Sequence, residues 1–129
     1  MDILIVDDNE SHRTLLITFL EDVGYTVDTA GDGQEALTCL RQSADVPKVI
    51  LLDVAMPLMT GWEFVRAVQR DARLATIPIV IMTALGARDH AEIPDGAVAF
   101  LEKPLDLVAV EMILRAYAEP RLRLREVGG

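Results

Sequence analysis

Apolar residues in this chain gather into five short runs, at residues 3–6, 25–29, 49–52, 77–82 and 97–101. The first, third and fourth are almost wholly apolar, the pattern of strands buried on both faces. Between the runs the spacing changes to three and four. Leu15, Leu16, Phe19, Leu20 and Val23 fall on one side of a first helix, which Gly24 ends. Ala36, Leu37 and Leu40 share a side of a second helix, over about 34–42. A third begins near Gly61 with Phe64, Val65 and Val68, and a last one starts after Pro104 and reaches about Glu119, where Pro120 stops it. Strand–helix alternation of this kind predicts right-handed crossovers and a doubly wound α/β fold, a parallel sheet with helices on both faces.

In such sheets ligands sit outside the carboxyl ends of the strands. The polar residues at or directly beyond those ends are Asp7 and Asp8 for the first strand, Asp53 for the third, Thr83 for the fourth and Lys103 for the fifth. Singly, each has an ordinary reading. Asp8 or Asn9 caps a helix, Asp53 caps a loop, Thr83 bonds to backbone, and Lys103 is a solvated charge. Together they bring three carboxylates, a hydroxyl and an ammonium to one edge. Crowded carboxylates need a counter-charge, and a hard divalent ion with oxygen ligands, Mg²⁺ or Mn²⁺, supplies one. Lysine and threonine beside such an ion suit a phosphoryl group. An aspartate can accept that group as a nucleophile, with catalysis resting mainly on positioning and on charge neutralisation.

The strings IVDDNE, LLDVAMPLMTGWEF, IPIVIMTA and FLEKP, in that order, resemble the receiver domain of two-component response regulators. The resemblance covers about residues 1–119 and leaves 120–129 as a C-terminal tail or linker remnant. It implies a CheY-like, flavodoxin-like sheet of five parallel strands in the order 2-1-3-4-5. It further implies that Asp53 is the phosphoacceptor, served by a sensor histidine kinase or a histidine phosphotransfer protein. Asp8 and Asp53 would bind Mg²⁺ (or Mn²⁺) directly, Asp7 through water, and Ala55 through its backbone carbonyl. Lys103, on a cis Lys103–Pro104 peptide, would pair with the phosphoryl oxygens, and Thr83 would hydrogen-bond to them. Phe100 matches the aromatic switch that swings inward when Thr83 moves, relaying the change to the face of the fourth helix, fifth strand and fifth helix. Met56, Pro57 and Gly61 match the loop from the acceptor into the third helix. Such a domain is a signalling module that catalyses only its own phosphorylation and dephosphorylation, and that regulates a downstream protein effector.

The chain departs from the family in places. Between Thr83 and Lys103 it is slightly short and carries Gly86, Pro94 and Gly96, which predicts a short or distorted fourth helix. The last helix has few polar residues, chiefly Glu111 and Arg115, so its apolar arc exceeds the roughly 100° stripe of a surface helix. The surplus near Met112 and Ala116 either completes the core, covers space beside the fourth helix, or meets a partner, including a second copy in a homodimer through the fourth- and fifth-helix face. Ala55 and Leu85 stand two residues after Asp53 and Thr83, positions that in this family influence hydrolysis of the phosphoryl group. Neither side chain can hydrogen-bond a water, which predicts slow to intermediate autodephosphorylation. His12 and His90 read as ordinary surface or edge histidines without metal-ligand company.

Composition narrows the function classes. A length of 129 residues suits one domain, and a formal charge of −9 argues against direct binding to nucleic acid or anionic membranes. The single cysteine, Cys39, forms no intrachain disulfide and fits a reducing, cytoplasmic setting. No apolar run approaches the roughly 20 residues that span a bilayer, and the N-terminus does not read as a signal peptide. The tail leaves no room for a DNA-binding domain, so the chain reads as a stand-alone receiver or a piece of something longer.

Three competing functions fit these residues less well. A haloacid-dehalogenase-type phosphatase needs a second aspartate where Ala55 stands. A flavodoxin-like cofactor binder needs a glycine- and hydroxyl-rich phosphate loop where Asp7 and Asp8 stand. A receiver fold used purely as an unphosphorylated interaction module does not need its complete acidic set.

Overall fold

Ile3, Leu4, Ile5 and Val6 are fully buried because their strand, β1 (Ile3–Val6), lies inside the sheet and is covered on both faces. The computed structural model describes residues 1–54, 61–83 and 96–119. The remaining elements are α1 (Glu10–Val23), β2 (Val27–Ala30), α2 (Gly33–Gln42), β3 (Val49–Asp53), α3 (Gly61–Arg70), β4 (Ile79–Thr83), β5 (Ala97–Glu102) and α4 (Leu107–Arg115). All pairings are parallel, and the strand order is β2-β1-β3-β4-β5.

Alternation along the strands divides the core in two. Leu4, Val6, Ile50, Leu52, Ile79 and Ile81 face α2 and α3, meeting Leu37, Leu40, Phe64 and Val68. Ile3, Ile5, Val49, Leu51, Val80 and Met82 face α1 and α4, meeting Leu16, Leu20, Val110 and Leu114. One-residue offsets thus serve both faces, which is why these strands read as continuous apolar runs.

The helix ends follow local chemistry. Asn9 caps α1 by accepting the His12 N–H at 2.9 Å, and Gly24 ends it with φ 118°, a left-handed conformation that glycine adopts without strain. Asp32 and Asp106 cap α2 and α4. Two strands begin later than their apolar runs. Tyr25 serves the end of α1 instead, its N–H bonding to Leu20 O at 3.0 Å and its hydroxyl to Ala118 O at 2.9 Å. Ile77 likewise closes a turn onto Leu74 O at 3.0 Å. The last helix is shorter than its apolar pattern: Asp106 starts it, and after Arg115 the backbone turns more tightly. It is the helix counted fifth from the sequence. The expected short or distorted fourth helix falls within 84–95, outside the described residues, as do Ala55, Met56, Pro57, Leu85, His90 and the tail 120–129.

Gly61 sets the approach of α3 to the sheet. Its N–H bonds to Val54 O at 3.2 Å, and a Cβ placed there would lie 2.8 Å from Val54 Cα. Backbone cannot yield as a flexible side chain does. Gly61→Ala is expected to destabilise the fold by about 1–3 kcal/mol, the usual range for overpacking, read as a lower urea midpoint with an unchanged m-value.

Candidate functional site

The ends of β1, β3, β4 and β5 deliver the site. Asp53 is the last residue of β3, paired in register with Met82 of β4, and Thr83 is the last residue of β4. Lys103 follows β5, and its N–H bonds to Thr83 O at 2.7 Å, so the β4–β5 ladder continues to the lysine. Parallel pairing puts these chain positions side by side although 50 residues separate Asp53 from Lys103.

The carboxylates of Asp7, Asp8 and Asp53 each offer an oxygen within 4.8 Å of the others. Asp7 and Asp53 are buried, at 0% and 4% exposure, whereas Asp8 is open to solvent. Lys103 Nζ reaches Asp53 Oδ2 at 3.0 Å across a side chain that is 27% exposed. Thr83 is buried beside them at 4% exposure. The Lys103–Pro104 peptide is cis. Phe100 lies on β5, paired with Ile81, and is 38% exposed. Of the residues read from the sequence, Asp7, Asp8, Asp53, Thr83 and Lys103 are therefore at one edge; Phe100 stands outward on the edge strand, and Ala55 is outside the described residues.

His12, read from the sequence as an ordinary surface or edge histidine without metal-ligand company, instead pairs its Nδ1 with Asp7 Oδ2. The third residue of a helix reaches back over its cap, as in a capping box, and here that brings the ring to a carboxylate two residues before the cap. The signal was the spacing of Asp7, Asn9 and His12, legible only once Asn9 is known to be the cap. The cap and first turn of α1 grip Asp7 further. Asp7 Oδ1 accepts the Asn9 N–H at 2.9 Å, and Arg13 Nη1 donates to the Asp7 carbonyl at 2.7 Å. Beside the site, a cleft of about 490 Å³ is lined by Asn9, His12, Leu15, Lys103, Pro104 and Leu105 among others.

The donor set fits a hard divalent cation. It is all oxygen, it is anionic, and one of its members is open to water, as a partly hydrated Mg²⁺ requires. Sulfur is absent from the cluster, so it does not suit a thiophilic metal.

Comparison with known proteins accords with this geometry. The response regulator receiver domain family matches residues 3–115, and the chain belongs to that family. It is 39% identical over 134 aligned positions to the response regulator PleD of Caulobacter vibrioides, covering 98% of this chain but 29% of PleD. An uncharacterized 14.6 kDa protein of Leptolyngbya boryana is 35% identical, with 91% of this chain and 89% of that protein covered. Several curated relatives are thus much longer than the part this chain spans. Among solved structures, the chemotaxis response regulator CheY4 of Vibrio cholerae superposes with a TM-score of 0.82 at 34% identity, covering 91% of this chain and 98% of CheY4. The receiver domain of the sensor histidine kinase PA1611 of Pseudomonas aeruginosa PAO1 superposes with a TM-score of 0.81 at 25% identity, covering 90% of this chain and 95% of that one. Its structure holds a magnesium ion coordinated in the active site cleft. The chain is therefore a receiver domain of the two-component response regulator type, a signalling domain. Among the described residues no helix is long and apolar enough to cross a membrane.

A cation that binds only the folded protein stabilises it by mass action, by about 2.7 kcal/mol at a concentration of 100 Kd. Mg²⁺ is accordingly expected to raise the melting temperature in a dose-dependent way that EDTA reverses. Asp8→Ala is expected to abolish most of that rise, as differential scanning calorimetry would show.

Proposed function

We propose that this receiver takes a phosphoryl group from a phosphohistidine onto Asp53 in an Mg²⁺-dependent reaction and thereby changes the surface it offers to a partner. The observation that carries this reading is the Asp53 carboxylate at the sheet edge, with Lys103 Nζ 3.0 Å from one oxygen and the carboxylates of Asp7 and Asp8 beside it. The donor is a sensor histidine kinase or a histidine phosphotransfer protein, approaching over the cleft between α1 and the residues after β5. An Asp53 oxygen attacks phosphorus in line. The O–P bond forms as the P–N bond breaks, and the electron pair leaves on the imidazole nitrogen.

Asp8, Asp53 and the Ala55 carbonyl would hold the Mg²⁺, and Asp7 would do so through water, as the family resemblance implies. When bound, the ion supplies charge neutralisation to the carboxylates and the transferring oxygens. Lys103 turns from Asp53 to a phosphoryl oxygen, an ammonium acting as a point charge on a flexible stem. Thr83 donates its hydroxyl to another. Its move would vacate space at the end of β4, into which the outward Phe100 would turn, altering the surface of β5. Val98, Phe100, Val108 and Met112 are exposed on β5 and α4, and this surface is where a downstream protein or a second copy would read the change. Met112, at 66% exposure, and Ala116, also exposed, face solvent and so fit a partner surface better than a core.

The test is incubation with Mg²⁺ and acetyl phosphate. Intact mass is expected to rise by one phosphoryl group, to stay unchanged in Asp53→Asn, and to fall back slowly after the donor is removed. Absence of labelling with Mg²⁺ still bound would leave an unphosphorylated interaction module, and a phosphoryl lifetime of only seconds would contradict the slow hydrolysis expected from Ala55 and Leu85. In the same assay, sedimentation with and without phosphoryl mimic reads self-association. Mg²⁺ affinity is expected to drop further in Asp8→Ala than in Asp7→Ala, since of these two only Asp8 would ligate directly.

A further inference from the structure

We propose that His12 is a positioning residue for the metal site, its ring N–H holding the Asp7 carboxylate in the orientation from which it serves the cation. The proposal rests on the Mg²⁺-dependent reading above. Asp7 has a side chain of 0% exposure, so each of its oxygens needs a partner within the protein. Oδ1 has the Asn9 N–H at 2.9 Å. Oδ2 has His12 Nδ1. One donor comes from the cap of α1 and the other from its first turn, and Arg13 ties the Asp7 carbonyl to the same end of the helix.

A carboxylate offers about four lone-pair sites. Two donors on the helix side therefore leave lone pairs free for a cation-bound water on the side of Asp8 and Asp53. The helix backbone fixes one donor and cannot be varied. The other is a side chain, and a neutral imidazole supplies it from Nδ1 as well as an imidazolium does. His12 is itself held, because its backbone N–H bonds to Asn9 Oδ1 at 2.9 Å and its side chain is only 19% exposed. Without the ring, Oδ2 would turn toward another donor and carry the carboxylate away from the cation. Loss of such outer partners costs metal sites about 10- to 100-fold in affinity. Asp7 is an indirect holder in this reading, which favours the lower end.

The experiment is Mg²⁺ titration by isothermal calorimetry on the full chain and on His12→Leu, His12→Ala and His12→Asn, with melting in EDTA to follow the fold. Asparagine places an amide nitrogen as many bonds from Cβ as Nδ1, so it keeps the donor. About a tenfold weaker Kd is expected for His12→Leu and His12→Ala, with near wild-type binding for His12→Asn. His12→Ala carries the comparison if the leucine variant does not fold. Unchanged or tighter Mg²⁺ binding in the variants lacking the donor overturns the proposal, as does an asparagine variant as weak as they are. A parallel Zn²⁺ titration that weakens while Mg²⁺ binding does not would make His12 a direct ligand and also overturn it. Wild-type protein that binds no Mg²⁺ removes the metal-dependent reading and this proposal together. Wild-type binding that the substitutions leave unmoved removes only the role of His12.

Discussion

Mutual repulsion among Asp7, Asp8 and Asp53 is the constraint around which this domain is arranged. At an effective dielectric of about 20, two carboxylates 4.8 Å apart repel by roughly 3 to 4 kcal/mol. The exposure of Asp8 lets water screen its share, but Asp7 and Asp53 are buried. Lys103, bonded to one Asp53 oxygen, brings a single positive charge to three negative ones. The remaining imbalance is the kind of carboxylate crowding that a hard divalent cation would relieve. It also explains why the cap and first turn of α1 direct an amide and an imidazole at Asp7: a buried carboxylate tolerates its neighbours only when its oxygens are hydrogen-bonded.

The sheet makes that crowding possible. Residues buried on both faces hold β1 and β3 in place from their side chains, so their carboxyl ends cannot drift apart to relieve the repulsion. Packing on the α2–α3 face is close enough at Gly61 to exclude a single methyl group. The edge strand β5 is less confined: Ala97 and Ala99 are half-buried, while Val98 and Phe100 point outward. A rigid centre that holds the charges beside a looser edge that carries an aromatic ring is a suitable division for a signalling domain.

Much of this was legible in the amino-acid pattern. Double-sided burial makes β1, β3 and β4 apolar without alternation, and that alone announces a parallel sheet with helices on both sides. The termination of those runs in Asp7, Asp53 and Thr83 then placed candidate residues at one edge, because parallel strands end together. Exact strand starts were less legible, since Tyr25 and Ile77 are apolar for reasons of helix-end packing and turn closure, not of sheet pairing. The last helix was overestimated because Tyr117 and Ala118 continue its apolar pattern after its regular hydrogen bonding has stopped, and the Tyr25 hydroxyl takes the Ala118 carbonyl.

By itself the sequence determined the fold class, the stop of the first helix at Gly24, a cap for that helix at Asp8 or Asn9, and which carboxylates share an edge, since all of these follow from periodicity and from residues acting on their near neighbours in the chain. Only the tertiary structure decided how those groups meet. It set Lys103 Nζ against Asp53, sealed Asp7 from water while leaving Asp8 open, and turned His12 back onto Asp7. Distances and burial of this kind depend on where a helix crosses the sheet and how far its first turn tilts toward a strand end. Packing between distant segments sets those quantities, and no local pattern encodes them.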